Sequence, residues 1–377
     1  MFLPYGRQSI DESDIEAVAQ VLRGDWLTTG PAVEKFEREL GSVAGQSNPA
    51  VTVTSGTAAL HVAYAAAGIG PGDEVVTTPL TFLATATCAA IQGATVVFAD
   101  VSDDTGNLDP AAAAAAVTDR TRVISGVDYA GHPIDAPALR RVADDAGALL
   151  LEDAAHSIGG SLDGTPVGSL ADITTFSFFP TKNLTTAEGG AVVSSDTELL
   201  QRARTFKGIG MVRDPERLRS TDEGAWWYEM PELGLNYRLP DVLCALGSNQ
   251  LTRLGRFKAR RAEITARYSA GLADLDGVRL PAQRPGADPV WHFYPLRVLD
   301  GRRREVFDAL RAAEIGVQVN YIPVHWQPWF ADRGYRRGMC PVAEEYYEQE
   351  ISLPMFPDLR DSDVDRVIEQ VRTALGG

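Results

Sequence analysis

Lysine is scarce in this chain of 377 residues: Lys35, Lys182, Lys207 and Lys258 are the four present among 35 basic residues. Arginine is the ordinary surface cation here. A lysine that persists therefore invites chemistry requiring an amine that can lose its proton near neutral pH. Positive charge is short overall. With 51 acidic residues against 35 basic ones the formal net charge is −16, a field that repels phosphate backbones. The one dense basic run, Arg302-Arg303-Arg304, is too short to reverse it, so nucleic acid is not an expected partner. Cysteine is nearly absent, with Cys88, Cys244 and Cys340 far apart and in no CxxC. A reduced, cytoplasmic protein without disulfides or a zinc site is the expectation. No uncharged apolar stretch reaches 18 residues, which argues against a membrane span. The start, Met1 to Arg7, lacks the basic and apolar regions of a signal peptide.

Familiar motifs are missing as well. There is no GxxxxGK[ST], HExxH or GxSxG, and no GxGxxG after a strand; Gly68-Ile69-Gly70-Pro71-Gly72 has the wrong spacing and follows a helical segment. Nucleotide hydrolysis, zinc proteolysis and dinucleotide redox chemistry all lose weight.

What is present is an ordinary globular composition, 45% hydrophobic and 23% charged, with length for two or three domains' worth of core. The spacing predicts a helix over 9–24, opened by Ser9 and Glu12 as a capping box, and a second after Pro31 with Val33, Phe36 and Leu40 on one face. From residue 50, short apolar runs alternate with helical segments: 51–54, 75–78, 95–98, 123–125, 148–151, 173–178 and 191–193 read as seven strands. Several are apolar at every position, as in a mostly parallel sheet with helices on both faces, so the fold class is α/β. The alanine run 111–116 reads as helix filler. A long helix over 251–272, a strand near 291–298, a helix near 303–313, a strand near 317–319 and a helix over 361–375 suggest a smaller C-terminal α+β domain. The expected division is 1–250 and 251–377.

Three features fall at the carboxyl ends of predicted strands, where open α/β sheets place their sites. Ser55-Gly56-Thr57 leads into a helix and suits a phosphate, or is merely a small-residue turn needed for packing. Asp153, after Glu152, can pair with a cationic ring nitrogen or cap a helix. Lys182 follows Phe176-Ser177-Phe178-Phe179-Pro180. Either it ends a strand in solvent, or apolar surroundings lower its pKa and favour Schiff-base chemistry. Lys35, Lys207 and Lys258 sit among other charges and read as solvated. Phosphate seat, ring carboxylate and amine together are the parts that pyridoxal 5'-phosphate needs. Phe82 could stack on its ring or lie in the core, and His156 could cover the ring face or be a core histidine.

The same residues carry a resemblance. The order Thr28-Thr29-Gly30-Pro31, Ser55-Gly56-Thr57-Ala58-Ala59-Leu60, Gly72-Asp73-Glu74-Val75, Glu152-Asp153-Ala154-Ala155-His156, Phe176-Ser177-Phe178, Lys182, Glu188-Gly189-Gly190 and Gly234-Leu235-Asn236-Tyr237-Arg238 resembles the DegT/DnrJ/EryC1/StrS family. These are aminotransferases of pyridoxal-phosphate fold type I that act on nucleotide-linked keto-sugars. Within it, Tyr5-Gly6-Arg7-Gln8-Ser9-Ile10, Trp227-Tyr228-Glu229-Met230, Tyr321-Ile322-Pro323-Val324-His325 and Ile351-Ser352-Leu353-Pro354 look most like the transaminases of the pseudaminic acid route.

The resemblance implies transfer of an amino group, from L-glutamate, to C4 of a nucleotide-linked 4-keto-6-deoxy sugar, UDP-linked by preference. His156, where many C3-aminating relatives carry Gln, leans the same way. It implies that Lys182 and Asp153 are catalytic with His156. Gly56, Thr57, Ala58, Phe82, Ser177 and Asn236 would help hold the coenzyme, Asn236 reaching in from a second subunit of a homodimer. Tyr5, Asp25, Trp26, Leu27, Thr28, Thr29, Ser55, Tyr321 and His325 would face the substrate. Departures at Asp128, Ile209 and Asn183, where relatives often carry His, bear on the substrate more than on the coenzyme. C3 amination, dTDP-linked sugars and ketocyclitols stand as alternatives. A sugar dehydratase of this fold would carry His at the position of Lys182, and a coenzyme-sensing module would need a DNA-binding segment that the chain does not supply.

Overall fold

Successive side chains of a strand point to opposite faces, so a strand that is apolar throughout needs cover on both sides. The computed structural model, which describes residues 2–220 and 222–376, is built on that rule. Its strands are β1 Val51–Val53, β2 Glu74–Thr77, β3 Thr95–Phe98, β4 Thr121–Val127, β5 Leu149–Asp153, the short pair β6 Ser161–Leu162 and β7 Thr165–Pro166, β8 Ile173–Ser177, β9 Gly190–Val193, β10 Val278–Arg279, β11 Ala287–Asp288, β12 Tyr294–Val298 and β13 Glu350–Leu353. Seven of them form one sheet in the order β1-β9-β8-β5-β4-β2-β3. Neighbouring residues divide between its faces: Val123 and Leu151 enter one apolar cluster, Ile124 and Leu150 another.

All the pairings in this sheet are parallel except those of β9, which runs against both β1 and β8. Two antiparallel steps restore direction, so β1 points the same way as β8 and β5. Their carboxyl ends, carrying Ser55, Ser177 and Asp153, therefore meet along one edge of the sheet. Beyond residue 250 a second, antiparallel sheet runs in the order β10-β12-β13. The helix Asp361–Leu375 packs beside it against the helices Leu254–Leu272 and Arg303–Ala312. The N-terminal arm reaches this second sheet: Gly316 N–H donates to the Leu3 carbonyl at 2.7 Å and Met355 N–H to the Tyr5 carbonyl at 3.1 Å. Among the described residues no helix is long and apolar enough to cross a membrane.

Three elements differ from the sequence expectation. The first helix is Glu12–Arg23, and its capping box is made by Asp11 and Asp14 rather than Ser9 and Glu12; Ser9 instead bonds Asp358 at 3.1 Å. The long helix starts at Leu254 and runs to Leu272, and a separate helix that the sequence expectation did not include, Asp241–Leu251, precedes it across Thr252-Arg253. Thr252 Oγ1 donates back to the Asn249 carbonyl at 2.6 Å, closing that preceding helix. The segment 317–319 forms no strand; only Gln318 bridges to Ser352.

Candidate active site

At the edge where β1, β5 and β8 end lies a cavity of about 510 Å³, within the range usual for a small-molecule site. Ser55 ends the turn after β1 and caps the helix Gly56–Ala66, its Oγ accepting the Ala58 N–H at 3.0 Å. The N–H groups of Gly56 and Thr57 belong to the first turn, where the helix offers them no carbonyl, and both residues line the cavity. Gly56 is required by close approach. A Cβ there would stand 2.6 Å from Ser177 Cβ and 2.7 Å from its Oγ, so glycine lets the Ser177 hydroxyl come up against the helix end.

Asp153 is the buried last residue of β5. Its Oδ2 accepts from Thr85 Oγ1 at 2.7 Å and its Oδ1 from the Ala155 N–H at 3.2 Å. No helix starts after it, so capping is not its role. Burial pushes this carboxyl upward, while the Thr85 and Ala155 bonds and the Lys182 charge pull it back.

Lys182 follows the turn out of β8 that its own N–H closes on the Phe179 carbonyl at 2.9 Å. The side chain is half-buried and lines the same cavity as Asp153. Burial pushes its ammonium down to about 8, against the Asp153 charge, which favours the charged form. His156 is buried; its Nε2 lies 3.1 Å from Tyr321 Oη, and its Nδ1 has no partner among the described residues. Its ring stacks on His292 with centroids 4.5 Å apart. Burial, reinforced by the Lys182 charge, holds His156 well below the ordinary histidine range, so it is neutral. Phe82 is no core residue: it is 56% exposed at the cavity wall, its ring edge-on to Tyr321 at 6.1 Å.

The cavity thus gathers Tyr5, Ser55, Gly56, Thr57, Phe82, Asp153, His156, Ser177, Lys182 and Tyr321 from the sequence expectation. Ala58 sits one residue further into the helix, its N–H already used by Ser55. Asp25, Trp26, Leu27, Thr28 and Thr29 are exposed on the link between two helices and do not line it. Nor does Asn236, also exposed, which bridges to Gly208. His325 lies in the interior, its Nε2 2.8 Å from Glu344 and its ring against Phe98. Thr85, His292 and Asn320 line the cavity but were not expected from sequence. Asn320 had a signal in its place beside Tyr321; Thr85 and His292 had none short of the folded contact. Two lysines read as solvated are not. Lys207 is half-buried against Glu37, and Lys258 bridges Asp288 at 2.6 Å and the Gly159 carbonyl at 2.9 Å.

The pattern of the DegT/DnrJ/EryC1/StrS aminotransferase family matches residues 8–372. The chain belongs to that family. It is similar to the spore coat polysaccharide biosynthesis protein SpsC of Bacillus subtilis (strain 168), 40% identical over 382 residues, covering 100% of this chain and 98% of that protein. Among solved structures it is similar to Spr1654 from Streptococcus pneumoniae in its PLP form, at 28% identity and a TM-score of 0.93, covering 100% of this chain and 99% of that one. It is likewise similar to Helicobacter pylori PseC, an aminotransferase of pseudaminic acid biosynthesis, at 28% identity and a TM-score of 0.92 over 100% of both chains. As a DegT-family member the protein is a sugar aminotransferase of fold type I, and its coenzyme is pyridoxal 5'-phosphate. The donor set fits that group. A helix end with open N–H groups, a buried carboxylate, and an amine and a buried imidazole nitrogen that find no hydrogen-bond partner among the described residues all belong to one cavity.

Proposed function

We propose that the protein moves an amino group from L-glutamate to the C4 keto carbon of a nucleotide-linked 4-keto-6-deoxy sugar, UDP-linked by preference. The observation that carries the reading is Lys182: an amine pushed down to about 8, with no acceptor among the described residues, in one cavity with the Asp153 carboxylate. The N–H groups of Gly56 and Thr57 and the hydroxyl of Ser177 would take the coenzyme's phosphate. Asp153 would hold the proton on the ring nitrogen, and Phe82 and His156 would pack against the ring. When bound, the coenzyme supplies the sink for the electrons released as a C–H bond beside nitrogen is broken. Lys182 Nζ would take that proton from the α-carbon of the donor and give it up again within the same half-reaction, and in the second half-reaction it would deliver a proton to the sugar carbon. Tyr321, hydrogen-bonded to His156, stands with Tyr5 on the side open to the sugar.

Amination at C4 is supported by His156 at the position where many C3-aminating relatives carry Gln, and by the likeness to PseC. Pairing of two copies is supported by exposed Ile10, Ile15, Leu22, Trp26 and Leu27, apolar side chains in and around the first helix and the link after it. In this reading the exposed Asn236 enters the cavity of the second copy.

The test has two parts. Borohydride reduction of the coenzyme-loaded protein should fix the coenzyme on the peptide carrying Lys182, and Lys182→Ala should give no such adduct. A panel of UDP- and dTDP-linked 3-keto and 4-keto sugars with L-glutamate should yield an amine at C4, read by product mass and position. Amination at C3, or none, would overturn the substrate reading without touching the lysine.

A further inference from the structure

The mechanism gives no part to His292, a buried residue that lines the cavity just before β12. Its backbone is tied at both ends. The N–H donates to the Ala130 carbonyl at 2.8 Å, and the carbonyl accepts from Arg261 Nη1 at 2.9 Å. The ring lies on that of His156, with centroids 4.5 Å apart and planes 26° from parallel. Phe293 meets it edge-on at 5.6 Å. A ring held by its backbone and by packing on two sides is fixed before any substrate arrives.

Its two nitrogens are placed differently. Nδ1 is sealed from solvent and has no hydrogen-bond partner among the described residues. Nε2 has no partner there either, but it is not sealed, and the open space beside this residue is the cavity. Buried N–H groups without an acceptor are rarer than bare acceptors, which assigns the hydrogen of the neutral ring to Nε2. The ring is neutral. Burial, then the charge of Lys182, then His156 and Arg261 hold it well below the ordinary histidine range. His292 thus offers the cavity one uncharged donor. An imidazolium would suit an anion, whereas a neutral imidazole N–H suits the oxygen of a carbonyl. That the Lys182 charge is felt at His292 brings this donor near the carbon with which Lys182 exchanges a proton.

We propose that His292 Nε2–H donates to the keto oxygen of the compound that gains or has lost the amino group, the keto sugar and the 2-oxo acid left by the donor alike. One site serves both half-reactions, so both oxygens come to one place. Attack of an amine on the keto carbon drives negative charge onto that oxygen. A donor fixed in advance stabilises the charge, with no bond to His292 made or broken. This rests on the reading of the substrates as a keto sugar and L-glutamate.

Protein loaded with pyridoxal 5'-phosphate and given no amino donor binds keto compounds without turning them over, so infrared spectroscopy can follow the carbonyl itself. The probes are 2-oxoglutarate and a UDP-linked 4-keto-6-deoxy sugar, each isotopically labelled at the keto carbon. Both carbonyl bands should fall in wavenumber on binding to the unaltered protein. His292→Leu should abolish the fall and lower turnover about a hundredfold, the scale of one lost donor to a developing oxyanion. His292→Gln also loses the stacked ring but keeps an N–H. It should retain part of the fall and stay within about tenfold of the unaltered turnover. A fall retained by His292→Leu, or equal losses of turnover in the two variants, overturns the inference; the latter would make the ring a support for His156. Both probes binding with unmoved bands overturns it as well and leaves the substrate reading intact. If 2-oxoglutarate shows the His292-dependent fall while the sugar does not bind, the sugar assignment fails and the donor role of His292 holds.

Discussion

Lys182 and Lys207 are both drawn out of water, and they differ in what meets the ammonium. Lys207 ends the helix Thr197–Lys207 and is 12% exposed, with Nζ 2.8 Å from Glu37 Oε1 and 2.9 Å from the Thr52 carbonyl. Glu37 in turn accepts from Arg204 at 2.7 Å and from the Thr52 N–H at 2.9 Å. Burial raises the Glu37 carboxyl, but Lys207 and Arg204 outweigh it and hold the group below its ordinary range. Lys182 has Asp153 close enough to be felt as charge, yet its Nζ makes no hydrogen bond among the described residues. Burial lowers both amines. What separates them is an acceptor: the bonded ammonium is kept as structure, the unbonded one is free to lose a proton and react.

Removing each lysine should break the comparison in opposite ways. Lys182→Ala should lower steady-state transamination by about a thousandfold or more, the scale of lost proton transfer, with thermal stability unchanged or slightly higher because a half-buried charge is gone. Lys207→Met should do the reverse. It leaves Glu37 buried with Arg204 as its one remaining cation, and breaking a buried pair on one side costs about 3 kcal/mol. Denaturant unfolding should record that loss, while turnover per folded molecule stays within about twofold. If Lys207→Met abolished turnover in folded protein, the division between the two lysines would fail.

Proton affinity sharpens the same contrast. An amine attacks a carbonyl only when unprotonated, and Lys182 is pushed down to about 8 from an ordinary value of 10.5. The rate at which coenzyme-free protein captures pyridoxal 5'-phosphate should therefore rise as pH climbs through about 8 and level off above it. Stopped-flow absorbance across that range reads the midpoint. An acylating reagent at pH 8 should modify Lys182 before Lys207, as peptide mass mapping would show; a midpoint near the ordinary value would place the amine in water.

How much of this the residues announced follows from range. The sheet was legible because its strands are short apolar runs separated by helices; Thr95–Phe98 was read to the residue, and the others to within a few. Lys182 was legible because lysine is so rare here. Solvation of Lys207 was misread because its neighbours in sequence, Arg202 and Arg204, are charged, whereas its partner Glu37 lies 170 positions away. The cap of the first helix went wrong over three residues, where Ser9 and Asp11 are both good capping types and only the tertiary bonds of Ser9 decide. Asn320 and Thr85 earn their places through contacts 315 and 68 residues distant, which no local pattern carries.

The smallest effect tests how the charge beside Lys182 is set. Thr85 Oγ1 donates to Asp153 Oδ2 and lies 2.8 Å from Thr81 Oγ1, and it is the foremost influence holding the Asp153 carboxyl down against burial. Thr85→Val keeps the shape and removes the hydroxyl. A hydrogen bond to a charged group is worth about 1.5 kcal/mol or more, so the Asp153 carboxyl should climb further and coenzyme affinity should fall about tenfold, measured by equilibrium titration. Because the Asp153 charge favours the Lys182 ammonium, weakening that charge should move the capture midpoint below its value in the unaltered protein. Both shifts come from one lost hydroxyl. A midpoint that moved upward instead would mean that Lys182 does not sense Asp153, and the contrast with the Glu37-bound Lys207 would need another cause.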